Sequence, residues 1–362
     1  MNPDPTDPRT APRHEAGDLP AIEERELPPG RHQFHKERLM SQIHDDRRTT
    51  AAARAQRAPG SSRNPFLRKA VLLPAVTALA GALVVGVLVL TPGGTGGNGD
   101  DRAFGPALTT RIGAVDAKGA PRLLDRISLA AAEVDAPKAR ADQFVYIESR
   151  SANTHVRTEG DESRLVSEPL HTRKSWRSPD GREGWMIEPG NTGPEGITLA
   201  GPDETGNDPK PHLGAPTHDY LATLPTDPDA LLRKIYEETE GQGNGPDQQA
   251  FTTIGDLLVE SWPSPRLTAA LYRAAAKIPG VVMVDSATDA VGRKGVAVAR
   301  LDESSGSRTE WIFDSKTLTF LGERTVQVEG DGGEGGLIKP GTVIFTNAIL
   351  VRAYVDDMKV TP

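Results

Sequence analysis

The sequence predicts an α+β domain built on an antiparallel sheet, preceded by one transmembrane helix and a disordered N-terminal tail. Three observations predict it. Residues 70–90 run for 21 positions without a charge. Strand-like stretches alternate polar with apolar residues from 143 to 187 and again from 281 to 357. Three amphipathic helical patterns stand between those two runs, and strands gathered beside a block of helices argue α+β rather than a doubly wound sheet.

Residues 1–69 form the expected cytoplasmic tail. Its first 30 residues are rich in proline and charge and poor in apolar side chains, a composition that cannot bury enough surface to fold. A short helix is expected at 31–44, after the Pro-Pro-Gly turn. Phe34, Leu39, Met40 and Ile43 give it one apolar stripe, too short to fold alone. It reads either as a solvated or membrane-surface helix or as one that docks in a partner's groove. From Arg47 to Lys69 there are seven basic residues and no acidic one. That run fits topology determination and attraction to anionic lipid. Phe66 is the only aromatic in it, which argues against nucleic-acid binding.

As a helix rising about 1.5 Å per residue, residues 70–90 reach roughly 31 Å, one hydrocarbon core. Pro74 sits in the first turns, where it costs least. A buried core helix would need apolar cover that its surroundings do not offer. A cleaved export signal would need a shorter leader and a small-x-small site soon after it; TPGGTGG follows instead. An uncleaved signal-anchor remains. Arg54, Arg57, Arg63, Arg68 and Lys69 precede it closely, and only Arg102 follows closely. The positive side stays in the cytoplasm, so the C-terminal bulk is expected outside. Thr77 and Gly81, then Ala82 and Gly86, are small-xxx-small pairs through which spans can dimerise.

Residues 91–101 are a Gly-rich linker, and 102–362 the exported domain. The tail carries 13 Lys/Arg against 10 Asp/Glu, and the part after the span 29 against 40. An acidic exported domain does not seek nucleic acid; its charge mostly means solubility. The chain has no cysteine. That excludes disulfides, thiol catalysis, iron–sulfur clusters and Cys-ligated zinc, and leaves the domain to its hydrophobic core.

Within the domain, PRLLDRISLAAAEV predicts a helix with Leu123, Leu124, Ile127, Ala131 and Val134 on one face. QFVYIES (143–149), THVRT (154–158), HTRKSW (171–176) and a stretch at 183–187 behind a Pro-Asp-Gly turn read as half-exposed strands. Residues 188–217 hold six prolines and six glycines, too long for an ordinary connection; they read as a surface insertion or a lid. LPTDPDALLRKIYEETEG offers Asp227 as N-cap, Pro228 at the first helical position, and a core face of Leu231, Leu232 and Ile235. The next helix carries Ala250, Phe251, Ile254, Leu257 and Leu258. The third carries Leu267, Ala270, Leu271, Ala274 and Ile278 and stops at Pro279-Gly280. VVMVDSA, GVAVARLD, RTEWIFD, LTFLGERTVQV and TVIFTNAILVRAYVDD read as strands. Asp314–Thr317 reads as a hairpin turn, and EGDGGEGG (329–336) as a loose loop.

Motifs that carry chemistry are missing. There is no phosphate-cradling GxxxxGK[ST] and no GxSxG elbow. His155, His171, His212 and His218 have no sequence neighbours that suggest a catalytic group. His32, His35, Glu37 and His44 could approach a zinc geometry, but read better as solvated histidines; no metal or other cofactor is expected. Asp227 and Asp229 are helix-start residues. Asp302/Glu303 and Asp356/Asp357 are paired only in sequence. Trp176, Trp185, Trp262 and Trp311 read as sheet and core packing.

LPPGRHQFHKERLMSQI before a basic run and span, together with QFVYIES, DGREGWMI and LPTDPDALLRKIYE, resembles an uncharacterised actinobacterial family of single-span membrane proteins. The resemblance runs from the cytoplasmic helix through most of the exported domain. It implies a regulatory role near extracytoplasmic-function sigma factors and brings no catalytic residues. More remotely, the order of helices and antiparallel strands is similar to the half-barrel that lipoprotein carriers share with periplasmic regulators of sigma-factor signalling. The zinc-binding form of the anti-sigma module uses His and Cys ligands, which this chain cannot supply.

The expected protein is therefore a non-enzymatic, N-in, single-span membrane protein. Its exported domain would sense or bind an apolar ligand or a lipoprotein. Its cytoplasmic helix would meet a sigma factor or other regulator through Phe34, Leu39, Met40 and Ile43. A membrane-anchored lipid or lipoprotein carrier is the alternative.

Overall fold

The computed structural model describes residues 104–135, 140–160, 162–199, 210–332 and 334–362. The tail, its helix at 31–44 with Phe34, Leu39, Met40 and Ile43, the histidines at 32, 35 and 44, the span at 70–90 and the linker all lie outside the described residues. Among the described residues no helix is long and apolar enough to cross a membrane.

The first strands, β1 (Gly105–Pro106) and β2 (Val115–Asp116), are short. Helix α1 (Ala120–Ala132) follows, with Pro121 in its first turn, and buries Leu123, Leu124 and Ile127. It ends before Val134, which is 56% exposed; the expected apolar stripe is one turn too long. Four strands come next: β3 (Phe144–Glu159), β4 (Glu162–Ser167), β5 (His171–Arg177) and β6 (Gly184–Ile187). The two strands expected at 143–149 and 154–158 are one. The polar residues Arg150, Ser151 and Asn153 break the apolar alternation, but hydrogen-bonded neighbours hold the backbone through them. β4 is unannounced in the sequence and folds back on the far end of β3.

The insertion after β6 contributes β7 (Ile197–Thr198), paired with β6, and Leu213, which enters the core. A short helix, α2 (His218–Thr223), is capped by the Thr217 hydroxyl, which accepts from the Tyr220 N–H. Helix α3 (Pro228–Glu238) starts as the sequence predicts: the Asp227 carboxylate accepts from the Ala230 N–H at 2.9 Å. Helices α4 (Pro246–Glu260) and α5 (Pro265–Ala275) bury every residue of their expected core faces. α5 stops before Pro279-Gly280, and Ile278 reaches the core from the turn beyond it. Five strands complete the chain: β8 (Val281–Thr288), β9 (Lys294–Asp302), β10 (Ser307–Asp314), β11 (Phe320–Gln327) and β12 (Val343–Val355). The Asp314 carboxylate accepts from the backbone of Lys316 and Thr317, closing the β10–β11 turn as expected.

The strands form one open sheet in the order β2-β8-β9-β10-β11-β12-β3-β5-β6-β7, with β1 on β4 and β4 on β3. Every ladder in it is antiparallel. The α+β class with an antiparallel sheet is thus observed. β12 joins the C-terminal meander to β3, so the helical block leaves and re-enters a continuous sheet.

One face of the sheet carries the helices. Val145, Ile147, Val298, Trp311, Phe313 and Ile349 meet α1 and α3–α5 there in the main core. On the other face, Phe144, Tyr146, Trp176 and Val355 form one small cluster, and Val284, Ala297, Ala299, Ile312 and Leu321 another. That outer face also buries Glu310 between Arg308 at 2.6 Å and Arg324 at 2.8 Å. The segment before α1 crosses this triad: the Gly113 carbonyl accepts from Arg308, and the Thr110 hydroxyl from Arg324. Trp176 and Trp311 are buried, while Trp185 and Trp262 pack partly buried against their clusters.

Candidate functional site on the helix face

Alternation along each strand decides which polar residues look towards the helices. Val145 and Ile147 of β3 belong to the main core, so Ser149 and Ser151, two and four residues on, share their face. Pairing carries that face sideways. Ser151 stands opposite Asn347 on one side and His171 on the other. Ser149 stands opposite Arg173, and Val145 opposite Arg177. On the next strands Trp311 pairs with Glu323, and the register of β11 with β12 continues to bring Glu323 beside Asn347. A row of polar groups therefore runs across five strands, from Trp311 through Glu323, Asn347 and Ser151 to His171.

Helix α4 lies over this row. Phe251 stacks on Trp311, and Gly255 comes so close that a Cβ there would stand 2.6 Å from Trp311 Nε1 and 3.2 Å from Glu323 Oε2. At its C-terminal end Glu260 accepts from Arg173 at 2.5 Å. Arg173 also approaches Glu188 at 3.7 Å, and His171 Nε2 binds Glu188 Oε1 at 2.7 Å. The site is thus ionic, made by β5, the residue after β6, and the end of α4.

Charge settles accordingly. The bond to Glu188 raises the His171 pKa against the opposing effect of burial. Burial works against the Glu188 charge, yet His171 and Arg173 outweigh it and hold the carboxyl below its usual range. Glu260 behaves alike: burial opposes its charge, and Arg173 and Arg177 overcome it. Glu323 has no such cation. Burial first, then the charges of Asp256 and Glu260, push it up to about 8. Glu260 nevertheless keeps 39% of its side chain open to solvent, and Glu323 and Arg177 are only half-buried. These groups lie at the water-reached margin of the recess formed where the end of α4 meets the sheet.

Ser151, His171 and Glu188 have the composition of a hydrolytic triad, but their geometry is wrong for one. A triad uses both imidazole nitrogens, one for the nucleophile and one for the acid. Here Ser151 Oγ, at 3.3 Å, and Glu188 both sit on Nε2, while Nδ1 faces the Pro169 carbonyl. A nitrogen that donates to Glu188 has no lone pair left for the serine proton. The cluster is an ion pair with a serine beside it.

The other residues singled out from sequence do not converge. His155 meets Phe104 edge-on at 5.7 Å, the His212 ring accepts from the Gly214 N–H, and His218 lies against Tyr354. Asp229 pairs with Lys277 at 2.9 Å. Asp302 closes a turn through Ser304 and Ser305, with Glu303 on Arg300. Asp356 holds Arg140 and Gln143. No group of three or more potential ligands is placed to hold a metal among the described residues. Sequence reading missed Glu188, Arg173 and Glu323. The available signal was parity: each falls on the helix-facing register of its strand while being charged, which a buried face does not normally tolerate.

No protein-family model matches the chain, and no curated protein matches it.

Proposed function

We propose that the chain is a non-enzymatic, single-span membrane protein, N-terminus in the cytoplasm, whose exported domain binds or senses a ligand at the envelope. Its role is regulatory. The cytoplasmic helix, through Phe34, Leu39, Met40 and Ile43, passes the state of the domain to a sigma factor or another regulator. The observation that carries the binding part is the solvent-reached ionic recess between α4 and the sheet. Charged side chains gathered on a core-facing register are costly to a fold, and recognition is the common reason for keeping them. The open antiparallel sheet with helices on one face suits the half-barrel reading. The one-nitrogen geometry of His171 supports binding over hydrolysis, and the ionic lining favours a polar ligand group over a wholly apolar one.

A ligand shifts such a domain only through unequal affinity for two states. The test is an in-cell crosslinking pull-down with the full chain and a chain lacking residues 27–43 as baits. Recovery of a sigma factor or other cytoplasmic regulator by the full chain alone supports signalling. Recovery of the same envelope components by both baits, and of nothing cytoplasmic, removes the regulatory part and leaves a membrane-anchored binding or carrier module.

A further inference from the structure

We infer that Arg177, with Arg173 beside it, forms an oxyanion-binding site in this recess, for a ligand that carries a carboxylate, phosphate or sulfate group. The inference rests on the binding role proposed above and names the chemistry of its ligand. Arg173 is already committed, to Glu260 at 2.5 Å and to Glu188 at 3.7 Å. His171 is committed to Glu188. Arg177 is not: it makes no hydrogen bond or ion pair with any described residue. Burial, the largest effect, lowers its pKa; Glu260 counters that from a distance, and Arg173 adds to it. Both carboxylates of the cluster are thus engaged by Arg173 and His171, and Arg177 is left without a carboxylate of its own. Asp256, exposed on α4, acts on Glu323 through its charge, and burial with that charge pushes the Glu323 carboxyl towards its neutral form.

On the helix face Arg177 stands between Val145 and Gly184. Gly184 has no side chain and Val145 an apolar one, so neither cross-strand neighbour can partner the guanidinium. Arg177 is half-buried; a guanidinium that loses part of its hydration without gaining a partner is costly, and a Met or Leu would fill the position without that cost. A planar guanidinium binds an oxyanion through two parallel N–H donors. Bound there, the anion would give Arg177 the counter-charge it lacks.

The test uses the purified full chain in non-ionic detergent. Thermal melts and calorimetric titrations compare sodium phosphate, sulfate and acetate with chloride at equal ionic strength. A second arm compares short-chain phosphatidylglycerol with short-chain phosphatidylcholine, both below their micelle concentrations. The expected result is saturable stabilisation by at least one oxyanion. It should weaken tenfold or more in Arg177→Gln and stay unchanged in Arg182→Gln, a variant of an exposed turn residue. A response to phosphate assigns the site to free anions. A response to phosphatidylglycerol alone assigns it to a lipid headgroup, and both outcomes support the site. In chloride alone Arg177→Met should melt at or above the parent, because an uncompensated charge is gone. A lower melting point there marks Arg177 as a structural group and overturns the site. So does the absence of any saturable oxyanion response, or an Arg177→Gln chain that binds as the parent does. If those arms fail while a photo-crosslinker placed at Ser149 still captures an envelope ligand, the binding role stands and only its anionic chemistry falls.

Discussion

Phe251 lies flat on Trp311, with ring centroids 3.9 Å apart and planes within 1°. The pair fixes helix α4 to the sheet beside the recess, and both rings are fully buried. Stacked aromatic pairs contribute about 0.5–1.5 kcal/mol beyond the area they bury. Phe251→Ala should cost about 3–5 kcal/mol, seen as an earlier midpoint in urea melts. Gly255→Val tests the same contact from the other side. Its side chain would collide with Trp311 Nε1, so helix α4 must lift. That variant should lose about 1–3 kcal/mol and shift the tryptophan emission to the red. An unchanged spectrum would mean that α4 is not seated on Trp311.

The outer face offers a second test. Glu310 is completely buried between Arg308 and Arg324. Removing it leaves two guanidinium groups without a counter-charge. Glu310→Ala should therefore cost about 3–5 kcal/mol, whereas replacing all three residues by apolar ones of similar volume should be close to neutral. Measuring both chemical melts separates the burial of charge from the packing of the strand. Two equal losses would show that the triad matters only as volume.

These contacts also show where the sequence is legible. The core faces of α3, α4 and α5 follow a 3.6-residue period, and the structure keeps every residue of them. The Asp227 cap and the Asp314 turn are local chemistry and equally readable. β3 is not, because Arg150 to Asn153 are held by pairing with residues nearly 200 positions away in β12, and no local pattern reports that. β4 opens on three polar residues, Glu162, Ser163 and Arg164, and so shows no alternation, while α2 is too short for a period to emerge. The recess is the least legible part. Arg173, Glu188, Glu260 and Glu323 come from four separate segments, and only the register that aligns β11, β12, β3 and β5 reveals that they share a face.

His171 and Glu188 make stability depend on pH in opposite directions. The His171 pKa is raised in the fold from 6.5. Its contribution is complete below that value and fades as pH rises through the folded pKa. The Glu188 pKa is lowered from 4.5. Its contribution is complete above that value and fades as pH falls through the folded one. The pair is therefore most stabilising between about pH 4.5 and 6.5. Glu188→Gln should remove roughly 3 kcal/mol in that window and much less at pH 9. Chemical melts from pH 4 to 9 give the comparison. A loss of equal size across the range would show that the ion pair contributes shape rather than charge.

Glu323 sets a different slope. Its folded pKa is raised from 4.5 to about 8, so the fold keeps a proton that the unfolded chain releases. Stability from this group is complete below pH 4.5, declines from there to about pH 8, and is level above. Glu323→Gln fixes the neutral form. It should flatten that decline and make the chain more stable than the parent above pH 8, by an amount on the order of a few kcal/mol. Asp256 and Glu260 supply the repulsion, so Asp256→Asn should recover part of the same gain. Because Glu260 repels Glu323 through its charge and pairs with Arg173, the Glu188→Gln and Glu323→Gln effects should not add. A double variant measured at pH 6 and pH 9 reads that coupling directly. Strict additivity at both would mean that the row across the sheet acts as separate sites rather than one recess.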